Sequence, residues 1–181
     1  MGESRGRKLS MEELKRQSVE EFQQSPKIPV VIVLDNIRSL HNVGSVFRTS
    51  DAFSVERLVL TGITAKPPHR EIQKTALGAT ESVNWEYFEK CVDVVQELKG
   101  SGHKVVGVEQ VSGSTYLNKY DYEKGAKLAL VFGNEVKGVN QEVLNLCDGF
   151  IEIPQSGTKH SLNISVSVGV VLWELVRNLK Q

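Results

Sequence analysis

Val30-Val31-Ile32-Val33-Leu34, running into Asp35-Asn36-Ile37-Arg38-Ser39-Leu40-His41-Asn42-Val43-Gly44-Ser45-Val46-Phe47-Arg48-Thr49-Ser50-Asp51, is the stretch that decides the fold. Its first five residues are uninterrupted, apolar and mostly β-branched, the composition of a strand buried on both faces. The residues from 42 to 52 have helical spacing, with Asn42 at the N-cap position. A doubly buried strand leading into a helix is the unit of a parallel sheet, and the pattern recurs along the chain. Downstream, residues 57–60, 83–87, 104–108, 128–132 and 150–153 read as strands, and 71–77, 91–99 and 140–146 as helices between them. Upstream, Ser10 and Glu13 form a capping-box pattern for a helix over 11–23, which Pro26 and Pro29 end.

The closing run, 162–179, alternates like a strand at Leu162, Ile164, Val166, Val168 and Val170. Strands rarely exceed about ten residues, and the run continues with helical spacing through Trp173, Leu175, Val176 and Leu179, so length decides for a helix. A helix so rich in valine is stabilised by burial more than by propensity, which places it deep in the core or at a subunit interface. The expectation is an α/β fold, a mostly parallel sheet with helices on both faces, spanning 28–181 behind a helical extension at 1–27.

Composition narrows the function classes. A chain of 181 residues with 40% apolar and 24% charged residues is one ordinary domain that can bury a core without staples. No stretch approaches the roughly 20 apolar residues of a membrane span. The charged start at Met1-Gly2-Glu3-Ser4-Arg5 has no apolar segment behind it, so the expected location is the cytoplasm. Cys91 and Cys147 stand alone, without a CxxC or neighbouring histidines, and read as apolar fillers; no metal site is expected. Formal charge balances, 22 basic against 22 acidic residues. The balance comes from segregation, because the region holding Arg38, Arg48, Arg57, Lys66, Arg70 and Lys74 is locally basic while acids gather in the N-terminal segment and between Glu81 and Glu123.

Junctions after three of the strands carry chemistry. The first is the opening stretch, where Arg48 lies among Val46, Phe47 and Ala52 and either snorkels, pairs with Asp51 or faces a ligand. The second is Phe132-Gly133-Asn134-Glu135-Val136-Lys137-Gly138, a strand end whose glycines let backbone approach a ligand closely or simply make a tight turn. It is neither a GxGxxG fingerprint nor a phosphate loop, which argues against a generic nucleotide-binding domain. The third is Ile153-Pro154 followed by Gly157-Thr158-Lys159-His160-Ser161-Leu162-Asn163-Ile164-Ser165, polar where packing alone would want apolar residues.

Taken in order, these junctions resemble the three motifs of the SpoU/TrmH branch of the SPOUT RNA methyltransferases, and the resemblance runs from about Val30 to Leu175. It implies S-adenosylmethionine-dependent methylation of a ribose 2′-hydroxyl in structured RNA, tRNA ahead of rRNA, by a homodimer whose C-terminus forms a trefoil knot, an exception to the unknotted rule. By the same resemblance Arg48 stands at the reacting hydroxyl, with Asn42, Glu135, Ser161 and Asn163 as its catalytic companions. Val108, Gly133, Ile153, Ser161 and Leu162 become the cofactor contacts. A free guanidinium is a poor base, so Arg48 is read as orienting the hydroxyl and holding the adjacent phosphate. Arg38, Arg48, Lys66, Arg70 and Lys74 are the candidate RNA contacts, and Lys159 and His160 stay open between RNA and solvent. Asn42 and Ser161 also fit as plain helix caps. A catalytically silent RNA-binding or assembly protein on the same fold is the alternative reading; it has no chemical need for Arg48, Asn42 and Asn163 together. Aromatic content is 7%, and no stacking platform for unpaired bases is visible.

Overall fold

A computed structural model describes residues 6–10, 13–14, 17–159 and 161–179. Seven strands form one sheet in the order β3-β2-β1-β6-β4-β7-β5, and every pairing is parallel. They are β1 (Ile28–Asp35), β2 (Val55–Thr61), β3 (Trp85–Phe88), β4 (Lys104–Val108), β5 (Thr115–Tyr116), β6 (Leu128–Phe132) and β7 (Gly149–Glu152). The helices are α1 (Val19–Gln24), α2 (Leu40–Ala52), α3 (Arg70–Ala76), α4 (Ala79–Ser82), α5 (Cys91–Gly100), α6 (Gln141–Leu144) and α7 (Ile164–Leu179), with a 3₁₀ turn at Leu117–Lys119.

The continuous apolar run in β1 is explained by its central place. Val30 to Leu34 pair with β6 on one side, Val31 to Leu34 pair with β2 on the other, and all five are at most 1% exposed. Alternation then sorts the side chains between two cores. Val30, Ile32 and Leu34 face α2, α3 and α7, whose Phe47, Ile72, Val168 and Leu172 complete that layer. Val31 and Val33 face α5 and α6 through Val94, Val95, Leu98 and Val143. Helix α7 buries Val168, Val171, Leu172 and Leu175, which accounts for a valine-rich helix by burial on one side.

Several boundaries depart from expectation. Ser10 and Glu13 do exchange the capping-box hydrogen bonds, at 3.3 and 2.8 Å, but Gln17 and Ser18 are not helical. Met11, Glu12, Lys15 and Arg16, which the expected helix includes, lie outside the described residues, as does Arg5. Ser18 and Glu21 form a second complete capping box, and the helix packed on the domain starts there. Asn42 is not the cap of α2. Ser39 is, accepting the Asn42 amide at 3.3 Å, and the helix starts earlier for that reason. The short strand β5 was not anticipated, because two residues carry no periodic signal.

Candidate active site

Because all strands are parallel, their carboxyl ends share one edge, the usual ligand side of such sheets. There a cavity of ≈ 700 Å³ opens, lined by Val108 and Glu109 after β4, Phe132 to Val139 after β6, Ile151 to Ile153 with β7, and Ser161 to Ile164 leading into α7. Its size suits a cofactor-sized ligand. The expected contacts Val108, Gly133, Ile153, Ser161 and Leu162 all border this one space.

Close backbone approach makes the cavity possible. A Cβ on Gly133 would collide with the backbone of Gly138 and Val139, so the turn after β6 folds directly back on itself. Gly138 has φ 69°, a conformation other residues adopt at a cost, and the Glu109 carboxylate sits where its Cβ would go. Glu109 accepts the Val139 amide at 3.0 Å and the Gln110 amide at 3.0 Å. Glu109, which is not among the expected contacts, also borders the cavity.

At the mouth, three distant segments meet in one open polar ring, whose hydrogen bonds run from Glu135 through Asn42 to Asn163. Glu135 accepts the backbone amides of Arg38 and Ser39, at 3.0 and 3.1 Å, and the Asn42 side-chain amide at 3.1 Å. Asn42 in turn accepts from Asn163 Nδ2 at 3.1 Å. With Ser39 serving as the cap, the Asn42 side chain is free for this bridge. Asn163 Oδ1 accepts the amide and the hydroxyl of Ser165, at 2.9 and 2.7 Å, so Asn163 caps the first turn of α7 while holding the ring. Burial disfavours the charge on Glu135, but the amides of Arg38, Glu135 and Ser39 and the Asn42 side chain outweigh it and hold its pKa below the ordinary value. Ser161 is exposed and caps nothing in this arrangement.

Asn134 is a residue that motif reading passed over. Its Nδ2 donates to the Asn36 carbonyl at 2.7 Å and its Oδ1 accepts the Val136 and Lys137 amides at 2.9 and 3.0 Å, which shapes the turn carrying Glu135. The available signal was an asparagine at a turn flanked by glycines, the residue type that hydrogen-bonds its own backbone two residues on.

Arg48 stands apart. It lies on the exposed side of α2 and does not border the cavity. Among the described residues Arg48 forms no ion pair with Asp51, which accepts the Ser82 hydroxyl. Arg38, Lys66, Arg70 and Lys74 are exposed too. Lys66 stacks its ammonium 4.0 Å over the Tyr87 ring, and Lys74 pairs with Glu71 at 2.7 Å. Lys159 is exposed, and His160 lies outside the described residues. Cys91 is buried and Cys147 half-buried, and burial pushes both thiols up, Cys91 to about 12 and Cys147 to about 11, so neither is a reactive thiolate. Among the described residues no cluster of His, Cys, Asp or Glu is arranged to hold a metal ion, and no helix is long and apolar enough to cross a membrane.

The same segments that build the ring carry a family signature. Residues 29–173 match the model of the SpoU rRNA Methylase family. The chain belongs to that family. A Staphylococcus aureus protein named for the TrmH family of tRNA/rRNA methyltransferases is 30% identical over 161 residues, covering 89% of this chain and 64% of the relative. The chain therefore spans less than two thirds of that curated relative. Among solved structures, an S-adenosylmethionine-bound rRNA methyltransferase from Sinorhizobium meliloti superposes with a TM-score of 0.78 at 26% identity, over 87% of this chain and 60% of that one. A structure described for 2-OH methylation of C/U34 on tRNA gives 0.74 at 26% identity, over 84% of this chain and 99% of that one.

Proposed function

We propose that this chain is an S-adenosylmethionine-dependent methyltransferase that modifies a ribose 2′-hydroxyl of structured RNA, with tRNA the preferred substrate over rRNA. The observation that carries the reading is the Glu135–Asn42–Asn163 ring, which joins all three family motifs at the rim of a cofactor-sized cavity. S-adenosylmethionine fits the donor set, since carbonyls and amides after β4, β6 and β7 can meet an adenine edge and the apolar walls of Val108, Phe132, Ile151 and Leu162 its flat face. When bound, it supplies a methyl group on a sulfonium, and transfer to an oxygen removes that positive charge.

The protein's own task is then mainly proximity and the handling of one proton. Val108, Gly133, Ile153, Ser161 and Leu162 hold the cofactor, while Asn42, Glu135, Ser161 and Asn163 hold the rim against which the ribose lies. Arg48 orients the hydroxyl and grips the neighbouring phosphate, and that phosphate or water accepts the proton. Arg38, Lys66, Arg70 and Lys74 contact phosphates, which fixes RNA without reading its sequence. Position 34 of tRNA, the target of the 0.74 neighbour, is the first nucleotide to assay.

The active unit is a homodimer. Val166, Val170 and Trp173 recur along one side of α7 and are 51%, 38% and 63% exposed, an apolar stripe that a second copy of the helix would cover. The knotted C-terminus that the resemblance implies is consistent with β6 lying between β1 and β4. Residues 28–181 form the methyltransferase domain and 1–27 an extension, and the work is done in the cytoplasm.

Transfer of a labelled methyl group to total tRNA and rRNA, with nucleoside mass spectrometry of the product, tests the reading. Arg48→Ala is expected to bind S-adenosylhomocysteine as the wild type does and to lose transfer by about 100-fold or more. Full activity in Arg48→Ala would sink the assignment, and cofactor binding without transfer to any RNA would leave the silent RNA-binding alternative.

A further inference from the structure

Beneath the ring lies a carboxylate that neither the motifs nor the proposed chemistry uses. Asp35, the last residue of β1, is 2% exposed and has no cationic partner among the described residues. Its Oδ1 accepts Asn36 Nδ2 at 2.7 Å and the Thr61 hydroxyl at 3.1 Å, and the Asn140 backbone amide favours its charged form. Asn36 itself adopts a left-handed backbone, φ 57°, at the point where the chain leaves the sheet. Held there, it acts in two directions. Its Oδ1 accepts the Ile63 amide at 3.1 Å, and its carbonyl accepts Asn134 Nδ2 at 2.7 Å. Gly62 must be glycine beside it, because a Cβ would strike the Asn36 side chain.

We infer that Asp35 and Asn36 are positioning residues for the active site: the buried carboxylate fixes Asn36, and Asn36 fixes the turn through which Asn134 presents Glu135 to Asn42. The inference rests on the proposed function and adds two residues to its machinery. The chain of contacts is continuous, from Asp35 to Asn36, Asn134, the 135–137 turn, Glu135, Asn42 and Asn163, with each step between 2.7 and 3.1 Å.

Energetics separates this role from simple stabilisation. Burial pushes the Asp35 carboxyl above its ordinary pKa despite the donors from Thr61, Asn140 and Asn36, so its charge is a cost to folding. A neutral isostere relieves that cost. It also damages the geometry, because an amide has one acceptor oxygen where the carboxylate has two: meeting the Asn140 amide turns its NH₂ toward Asn36 Nδ2, donor against donor, and the opposite orientation pushes the Asn140 amide and the end of β1 apart. Geometry and stability therefore move in opposite directions in Asp35→Asn.

The test uses Asp35→Asn, Asn36→Gly and Val94→Ala, the last a truncation in the apolar layer between the sheet and α5, where Val94 is 0% exposed and takes no part in the hydrogen-bonded chain. Asn36→Gly keeps the left-handed backbone and the carbonyl but loses both side-chain bonds. In Asp35→Asn the melting temperature should stay level or rise and S-adenosylhomocysteine affinity remain within about 3-fold, while kcat falls by about 10-fold or more. Asn36→Gly should show the same loss of kcat. Val94→Ala should melt earlier and keep its kcat. Wild-type kcat in Asp35→Asn, or a loss of kcat that follows lowered melting as a plain core defect would, overturns the inference. If the wild type transfers no methyl group to any RNA, the proposed function fails on its own, and amide hydrogen exchange still decides this point. Val136 and Lys137 should exchange faster in Asp35→Asn, and unchanged protection there counts against the positioning role.

Discussion

The start of α7 and its outer face lie within one short segment, yet they are opposites. Asn163 is bound on three sides, to Asn42 and twice to Ser165, in a polar ring that one chain completes by itself. A few residues later Val166, Val170 and Trp173 present apolar surface that the described residues leave partly open. The difference teaches that the polar geometry is built in advance by hydrogen bonds within one chain, whereas the proposed dimer is what would bury the apolar stripe. Preorganised polar groups favour charge redistribution at a reacting centre, and an uncovered apolar stripe favours a partner.

The contrast breaks most severely at Gly133. In Gly133→Val the new side chain would overlap the backbone of Gly138 and Val139, so the turn after β6 must open and carry Glu135 away from Asn42. Affinity for S-adenosylhomocysteine, measured by titration calorimetry, should fall by at least about 100-fold, because a displaced wall removes several contacts together. A variant that still binds within about 10-fold of the wild type would mean that the ring is not preorganised by this close approach.

A smaller effect, on the other side of the comparison, comes from Trp173→Glu. A charge at the centre of the stripe should raise the dimer dissociation constant by about 10-fold or more in sedimentation experiments. The Glu135 ring, which needs no second copy, should keep S-adenosylhomocysteine binding in the resulting monomer. An unchanged association state in Trp173→Glu would overturn α7 as the dimer surface.

Much of the architecture was legible because burial writes itself into sequence. Val30 to Leu34 could only be a strand covered on both faces, and every strand pairing is parallel as that implied. Lys104–Val108 and Leu128–Phe132 carry the expected bounds for the same reason. The cap of α2 was not legible. Ser39 and Asn42 are both good N-cap residues, and what decides between them is Glu135, which binds Asn42 from a distant part of the chain. Ser18 won over Ser10 as the start of the packed helix for a similar reason, since Phe22 beyond it is buried against the domain and a local pattern cannot report that. The cavity contacts were found by motif resemblance, but Asp35, Asn36 and Asn134 escaped it. Asn36 and Asn134 bond backbone groups and Asp35 bonds neighbouring side chains, and neither kind of contact leaves a periodic trace.

The finest distinction concerns two carboxylates whose burial and donors differ. Glu135 titrates below its ordinary value, 4.5, so the stability it contributes is present above that pH and is lost as pH falls through the depressed pKa. Asp35 titrates above its ordinary value, 3.8, so its effect has the opposite sign: stability is lost as pH rises from there through the raised pKa. The two windows adjoin in the acid range and act with opposite sign. Glu135→Gln removes one arm. Thermal melts of the two proteins should differ most above about pH 5 and converge as pH falls through the depressed pKa of Glu135, below which the wild type is protonated there as well. Parallel curves across that range would mean that Glu135 has no net interaction that favours its charge, and that the ring is held by the asparagines alone.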